Sequence, residues 1–174
     1  MTVGTTRLSG NAGASINLTA FLAGDLSERR VPAIANAFGW TYGTGANQVD
    51  VIYADTHTLT LGSTITIDLL AGTPGSLLDI FGRALTMDAL KLLYIKNTSA
   101  DSGLWIGGQG ADDLLIFKAV GDIIYVPPGG IFLWSDPSAA GIDTTTQTDL
   151  KIQDDSAGVA GDRYIEIIAM GLDD

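Results

Sequence analysis

The chain has 174 residues, 46% hydrophobic and only 17% charged, with nine Lys/Arg against twenty Asp/Glu for a formal net charge of −11. A chain of this length buries roughly two thirds of its unfolded surface, so a single domain, with or without an arm, needs no metal or disulfide to hold a core. It contains no cysteine. The acidic balance repels phosphate backbones and anionic membrane faces, and no basic cluster beyond Arg29-Arg30 offsets it, so neither nucleic acid nor membrane is an expected partner.

The opening MTVGTTRLSGNAG lacks a basic start followed by an apolar run, so it does not read as a secretory signal. The longest apolar runs, such as Leu114-Leu115-Ile116-Phe117 and Ile131-Phe132-Leu133-Trp134, are about four residues, far short of a membrane span. The chain is therefore expected to be soluble. Good surface helix formers are scarce, with Glu28 and Glu166 the two glutamates, while Gly, Thr, Ser and Asn are plentiful. That composition suits strands and turns.

In chain order, residues 1–45 carry weak strand patterns broken by Gly10-Asn11-Ala12-Gly13 and Gly24-Asp25-Leu26, and 41–48 (TYGTGANQ) reads as a connector. The segment is expected to be either an extended N-terminal arm with one small helix or a source of one or two edge strands. The helix is expected over Pro32–Phe38, with proline in a tolerated first-turn position and Gly39 just past its end. A two-layer domain is expected over 46–171.

Gln48–Asp55 reads as a strand with Val49, Val51 and Tyr53 inward. In 58–69 (TLTLGSTITIDL), Leu59, Leu61, Ile65, Ile67 and Leu69 occupy odd positions and Thr58, Thr60, Thr64, Thr66 and Asp68 even ones, the period of a half-buried antiparallel strand. Gly62-Ser63 marks a bulge or turn. Ser76–Phe81 is expected to form one or two helical turns, capped by Ser76 and stopped by Gly82. Further strands are expected at 90–97, 104–107, 114–118, 122–126, 131–135, 150–153 and 164–169. Pro127-Pro128-Gly129-Gly130, between two of them, is expected to fold those strands back on each other. The fold class is all-β: an antiparallel, jelly-roll-like β-sandwich with short helical turns and an extended N-terminal arm.

Gly107-Gly108-Gln109-Gly110-Ala111-Asp112-Asp113-Leu114-Leu115 fits G-G-x-G-x-D-x-U-x, the unit of calcium-binding β-helices. One unit supplies half a site, and neither the preceding TSADSGLWI nor the following IFKAVGDII repeats it, so the stretch reads as a glycine turn, leaving calcium near Asp112 as the alternative. Gly43-Thr44-Gly45 lacks the third glycine and the following helix of a phosphate cradle. His57 is the single histidine. It cannot build a His cluster, and Asp55 lies on the same strand face without a G-x-S-x-G elbow, so a solvated histidine is the plainer reading. The pairs Asp112-Asp113, Asp154-Asp155 and Asp173-Asp174 are expected to point to opposite faces, poor geometry for shared acid–base work. No catalytic, cofactor-binding or metal residue is assigned. Trp105 and Trp134, near loop ends, are the residues that would serve a carbohydrate-binding or adhesion module. A hydrolase would have to use Asp55, His57 or Asp112-Asp113.

Four phrases, GTGANQVDVIYADTHTL at 43–59, SLLDIFGRALTMDALKLLYIKNTS at 76–99, VPPGGIFLWSDPSAAG at 126–141 and DRYIEIIAMG at 162–171, together resemble small β-sandwich virion proteins of tailed bacteriophages. The likeness covers roughly 43–171 and lies in strand and turn wording, not in a catalytic motif. Pro127 stands where that pattern has arginine, and 1–42 matches nothing in it. The resemblance implies a non-enzymatic head decoration (cement) protein, or else a tail or spike component. It implies synthesis in the host cytoplasm, a place on the capsid surface of the virion, the major capsid protein as partner, and a homo-oligomer, with a trimer favoured.

Overall fold

A computed structural model describes residues 9–21, 28–108, 110–117, 119, 121–155 and 162–173. The chain divides into two units, 1–42 and 43–174. The described residues contain strands and turns and no helix.

In the first unit, β1 (Ser9–Phe21) pairs antiparallel with β2 (Glu28–Tyr42), running from Ser9 opposite Thr41 to Phe21 opposite Glu28. The helix expected over Pro32–Phe38 is thus a strand. Val31, Ala33, Ala35 and Ala37 recur every second residue, a strand period and not a helical one, and pairing along β1 fixes the segment as strand. Pro32, which has no N–H to donate, falls where the register shifts between Ile16 and Leu18, the place a strand tolerates proline.

The second unit holds two antiparallel sheets. The first comprises β4 (Val51–Leu59), β6 (Ala89–Asn97), β9 (Ile131–Ser135), the short β10 (Ile142–Asp143) and β12 (Arg163–Leu172). Its order is β4-β12-β6, with β9 and β10 both on the far side of β6. The second sheet is β5 (Thr64–Asp68), β11 (Asp149–Asp154), β7 (Leu104–Gly107) and β8 (Ile123–Val126), in that order. A two-residue strand, β3 (Gln48–Val49), precedes them. Alternation places Tyr53, Leu93, Ile95, Ile165 and Ile167 of the first sheet and Ile67, Leu104, Ile106, Leu150 and Ile152 of the second in one buried cluster. At about 25 cal/mol per Å² of apolar surface removed from water, this cluster is the main source of stability.

Three local expectations change. Ser76–Phe81 is a turn rather than a helix: Asp79 accepts the N–H groups of Phe81 and Arg83 and pairs with the Arg83 guanidinium, while Leu78 bridges Ala84, drawing the backbone into a tight loop. Of the strand expected over 114–118, residues 114–117 are loop and turn, joined to Asp149 by the Leu114 N–H, and Lys118 lies outside the described residues. Pro127–Gly130 does not close a hairpin. β8 pairs with β7 in one sheet and β9 with β6 in the other, so this turn carries the chain across.

Asn97 secures that corner. Its buried amide donates to the carbonyls of Ser102, Val126 and Pro127, and its side-chain oxygen accepts the Ser99 N–H. Asn97→Ala is expected to destabilise the protein by about 1–3 kcal/mol, because buried carbonyls lose their donor. Chemical denaturation of the variant checks this.

The connector before β4 is held from within as well. Lys91, fully buried on β6, donates from Nζ to the Gly45 carbonyl at 2.8 Å, and Gln48 caps the Gly45 N–H. Burial lowers the Lys91 pKa, and Asp136 partly opposes the shift.

Candidate functional site

The outward face of the four-stranded sheet carries the most developed site. Register lines Thr64, Gln153, Trp105 and Tyr125 across β5, β11, β7 and β8 on one face. Together with Lys151, Ile123 and the glycine turn after β7, Thr64, Gln153 and Trp105 line a groove of about 640 Å³.

Each part of this groove is positioned by packing. Trp105 and Tyr125 meet with ring centroids 4.9 Å apart and planes at 53°. Tyr125 lies so close over Gly103 that a Cβ there would strike its ring, and its hydroxyl donates to Asp155 at 3.1 Å. Gly107, Gly108 and Gly110 of the glycine turn form the rim. Buried Asp113 accepts the Gly110 N–H at 2.8 Å and pairs with Lys151 Nζ at 2.5 Å. That contact raises the Lys151 pKa, so the ammonium stays charged. A Cβ on Gly108 would overlap Asp113 Oδ2, which is why glycine is required there. Of the two aspartates in this turn, Asp113 is paired with Lys151 and Asp112 is exposed. Among the described residues, no group of three or more His, Asp or Glu side chains is arranged to hold a metal ion.

His57 and Asp55 lie two residues apart on edge strand β4, His57 half-buried and Asp55 exposed, and they make different hydrogen bonds. His57 Nε2 meets the Tyr53 hydroxyl at 2.5 Å, and Asp55 accepts the Thr56 N–H. Burial lowers the His57 pKa, with Asp55 a smaller opposing influence, and it raises that of Tyr53. A folded-state His pKa below the unfolded value of about 6.5 gives stability that is complete above that pH and is lost as pH falls through the folded pKa. Asp50 and Asp149, whose pKa values burial raises, act in the opposite sense in the lower carboxylate range. Melting temperature should therefore fall more steeply from about pH 7 to pH 5 in the wild type than in His57→Gln. Parallel curves would contradict this.

Asp154-Asp155 departs from the expected opposite orientation. Asp154 ends β11 and Asp155 follows it outside the strand, so both carboxylates reach the Ser102 hydroxyl. Asp154 is fully buried, 3.4 Å from Arg163 Nε of the other sheet, and also accepts the Gly62 N–H. This is a cross-sheet tie.

The two tryptophans singled out in the sequence separate. Trp134, opposite Leu93, packs against the core, whereas Trp105 faces the groove. Sequence reasoning named Trp105 but not Thr64, Gln153 or Lys151. The even–odd phase of β5 and β11 was the available signal.

The outward face of the five-stranded sheet is different. Register aligns Leu133, Tyr94, Ile168 and Ala54 in one row, with Ile131, Lys96, Glu166 and Thr56 beside it. Ile131, Leu133, Ile168 and neighbouring Tyr164 are exposed, Ile131 and Tyr164 by more than half (59% and 52%). Lys96 and Glu166 pair at 3.4 Å between them. Leu78, Ile80 and Phe81 are also exposed, on the loop that Asp79 clamps.

Comparison with protein-family models, with curated proteins and with solved structures gave no match.

Proposed function

We propose that this protein is a non-enzymatic structural component of a phage virion, a decoration protein that binds the major capsid protein on the capsid surface and stabilises the shell. The carrying observation is the row Leu133–Tyr94–Ile168, its two ends exposed and Tyr94 half-buried, with exposed Ile131 and Tyr164 on the same face of a hydrogen-bonded sheet. Exposed apolar side chains grouped on one sheet face, here around the Lys96–Glu166 pair, are characteristic of protein interfaces, where aromatic side chains dominate the energy. A closed cyclic oligomer, a trimer foremost, would bury that row between copies. The rigid loop bearing Leu78, Ile80 and Phe81 would remain for the shell.

The two sheets are read as a stacked sandwich of jelly-roll type. Counting β4, β5, β6, β7, β8, β9, β11 and β12 as strands one to eight gives the orders 1-8-3-6 and 2-7-4-5, the jelly-roll pairing. Viral capsid and lectin domains use this architecture. The phage-like phrases at 43–59, 76–99, 126–141 and 162–171 support the same reading. A net charge of −11 keeps such a protein away from packaged nucleic acid. Binding that favours the assembled shell stabilises it by mass action.

Co-sedimentation with empty capsids of the encoding phage tests the proposal. Saturable binding that raises the temperature of shell disruption is the expected result. A protein that stays in the supernatant at every ratio would overturn it.

A further inference from the structure

We propose that the groove on the outward face of the four-stranded sheet binds a neutral saccharide. A sugar ring offers a face of C–H groups and a rim of hydroxyls that both donate and accept. The groove offers the complement of both.

Its apolar element is Trp105, whose ring is braced by Tyr125, itself fixed by Gly103 and Asp155. Around Trp105 stand the Gln153 amide, the Thr64 hydroxyl and the Lys151 ammonium, all lining the same groove. An amide and a hydroxyl each donate and accept, which suits hydroxyl partners. Thr64, Gln153 and Trp105 come from three hydrogen-bonded strands in register, so little freedom is lost when a ligand arrives. The groove volume, about 640 Å³, falls within the range of small-molecule sites and accommodates one or two sugar rings.

Charge selects among ligands. Among the described residues Lys151 is the cation lining the groove, and Asp113 already compensates it at 2.5 Å. With a chain charge of −11, an anionic ligand gains nothing here. That argues against phosphate esters and uronic acids and for uncharged hexoses. The site lies on a different sheet from the apolar row and does not depend on the function proposed above.

Saturation-transfer NMR on the full chain tests the assignment, with maltose, cellobiose, lactose and N,N′-diacetylchitobiose as probes and galacturonic acid as the charged comparison. At least one neutral probe is expected to receive saturation at its ring C–H protons. Trp105→Ala should weaken that binding about tenfold or more, the order of one lost aromatic contact. Gln153→Ala keeps the aromatic platform, so it tests the polar rim separately and should also weaken binding. Leu133→Asp should leave it unchanged. Transfer to none of the neutral probes, affinity insensitive to both groove substitutions, or preference for galacturonic acid would each overturn the proposal.

Discussion

Asp154→Ala is expected to remove about 3–5 kcal/mol of stability, the usual consequence of breaking a buried ion pair from one side. Asp154 is fully buried and Arg163 nearly so, at 4% side-chain exposure. The carboxylate gathers four separate segments: its own β11, the Arg163 guanidinium on β12, the Gly62 N–H in the turn before β5 and the Ser102 hydroxyl after β6. Alanine would strip the guanidinium of a buried counter-charge and leave the Gly62 N–H without its acceptor. For a domain of this size each kcal/mol moves the melting temperature by roughly 2–4 °C, so a fall on the order of 10 °C is expected. Pairing the change with Arg163→Met should recover part of the loss, since it also removes a buried guanidinium, whose carboxylate neighbour Asp101 is more distant at 4.0 Å. Calorimetry of the two single variants and the double variant checks both statements. Strict additivity would show that the pair is not coupled.

The second large effect concerns association. Leu133→Asp combined with Ile168→Asp places two carboxylates on either side of Tyr94 in the exposed apolar row. Both side chains are over a third exposed, at 37% and 36%, so folding stability should change by only about 0.5 kcal/mol at each position. In an interface the same carboxylates would be buried without partners, at a cost of several kcal/mol. Self-association and shell binding should therefore weaken by about a hundredfold or more with little loss of melting temperature. Sedimentation velocity alongside thermal unfolding separates the two readouts. Unchanged association would move the interface elsewhere, with the Leu78–Phe81 loop the next surface to alter.

Legibility from sequence followed the range of the interaction. β7 and β9 have the residues their alternation indicated, because a half-buried strand writes its two faces into consecutive positions. Over Pro32–Phe38 the proline and Gly39 read as helix ends, whereas Ala33, Ala35 and Ala37 recur at the strand period, and the partner that decides, β1, contributes through backbone pairing that composition does not mark. Pro127–Gly130 announced a turn correctly but not its destination. The choice between hairpin and crossover rests with Asn97, thirty residues earlier by way of the Pro127 carbonyl. Asp154 and Ser102, 52 residues apart, form a tie that no local pattern signals. The groove was legible only through Trp105. The register of β11, which no local pattern marks, sets Gln153 between Thr64 and Trp105 and places Lys151, opposite Thr66, on the same face.

Native mass spectrometry of the untagged chain at micromolar concentration bears most directly on the view that the five-stranded sheet's outer face is an interface. The expected spectrum is dominated by a closed oligomer, a trimer of about three times the 18.1 kDa chain mass, which Leu133→Asp/Ile168→Asp converts to monomer. A wild-type protein that remains at 18.1 kDa, with Ile131, Leu133, Tyr164 and Ile168 still open to radical labelling, would contradict it.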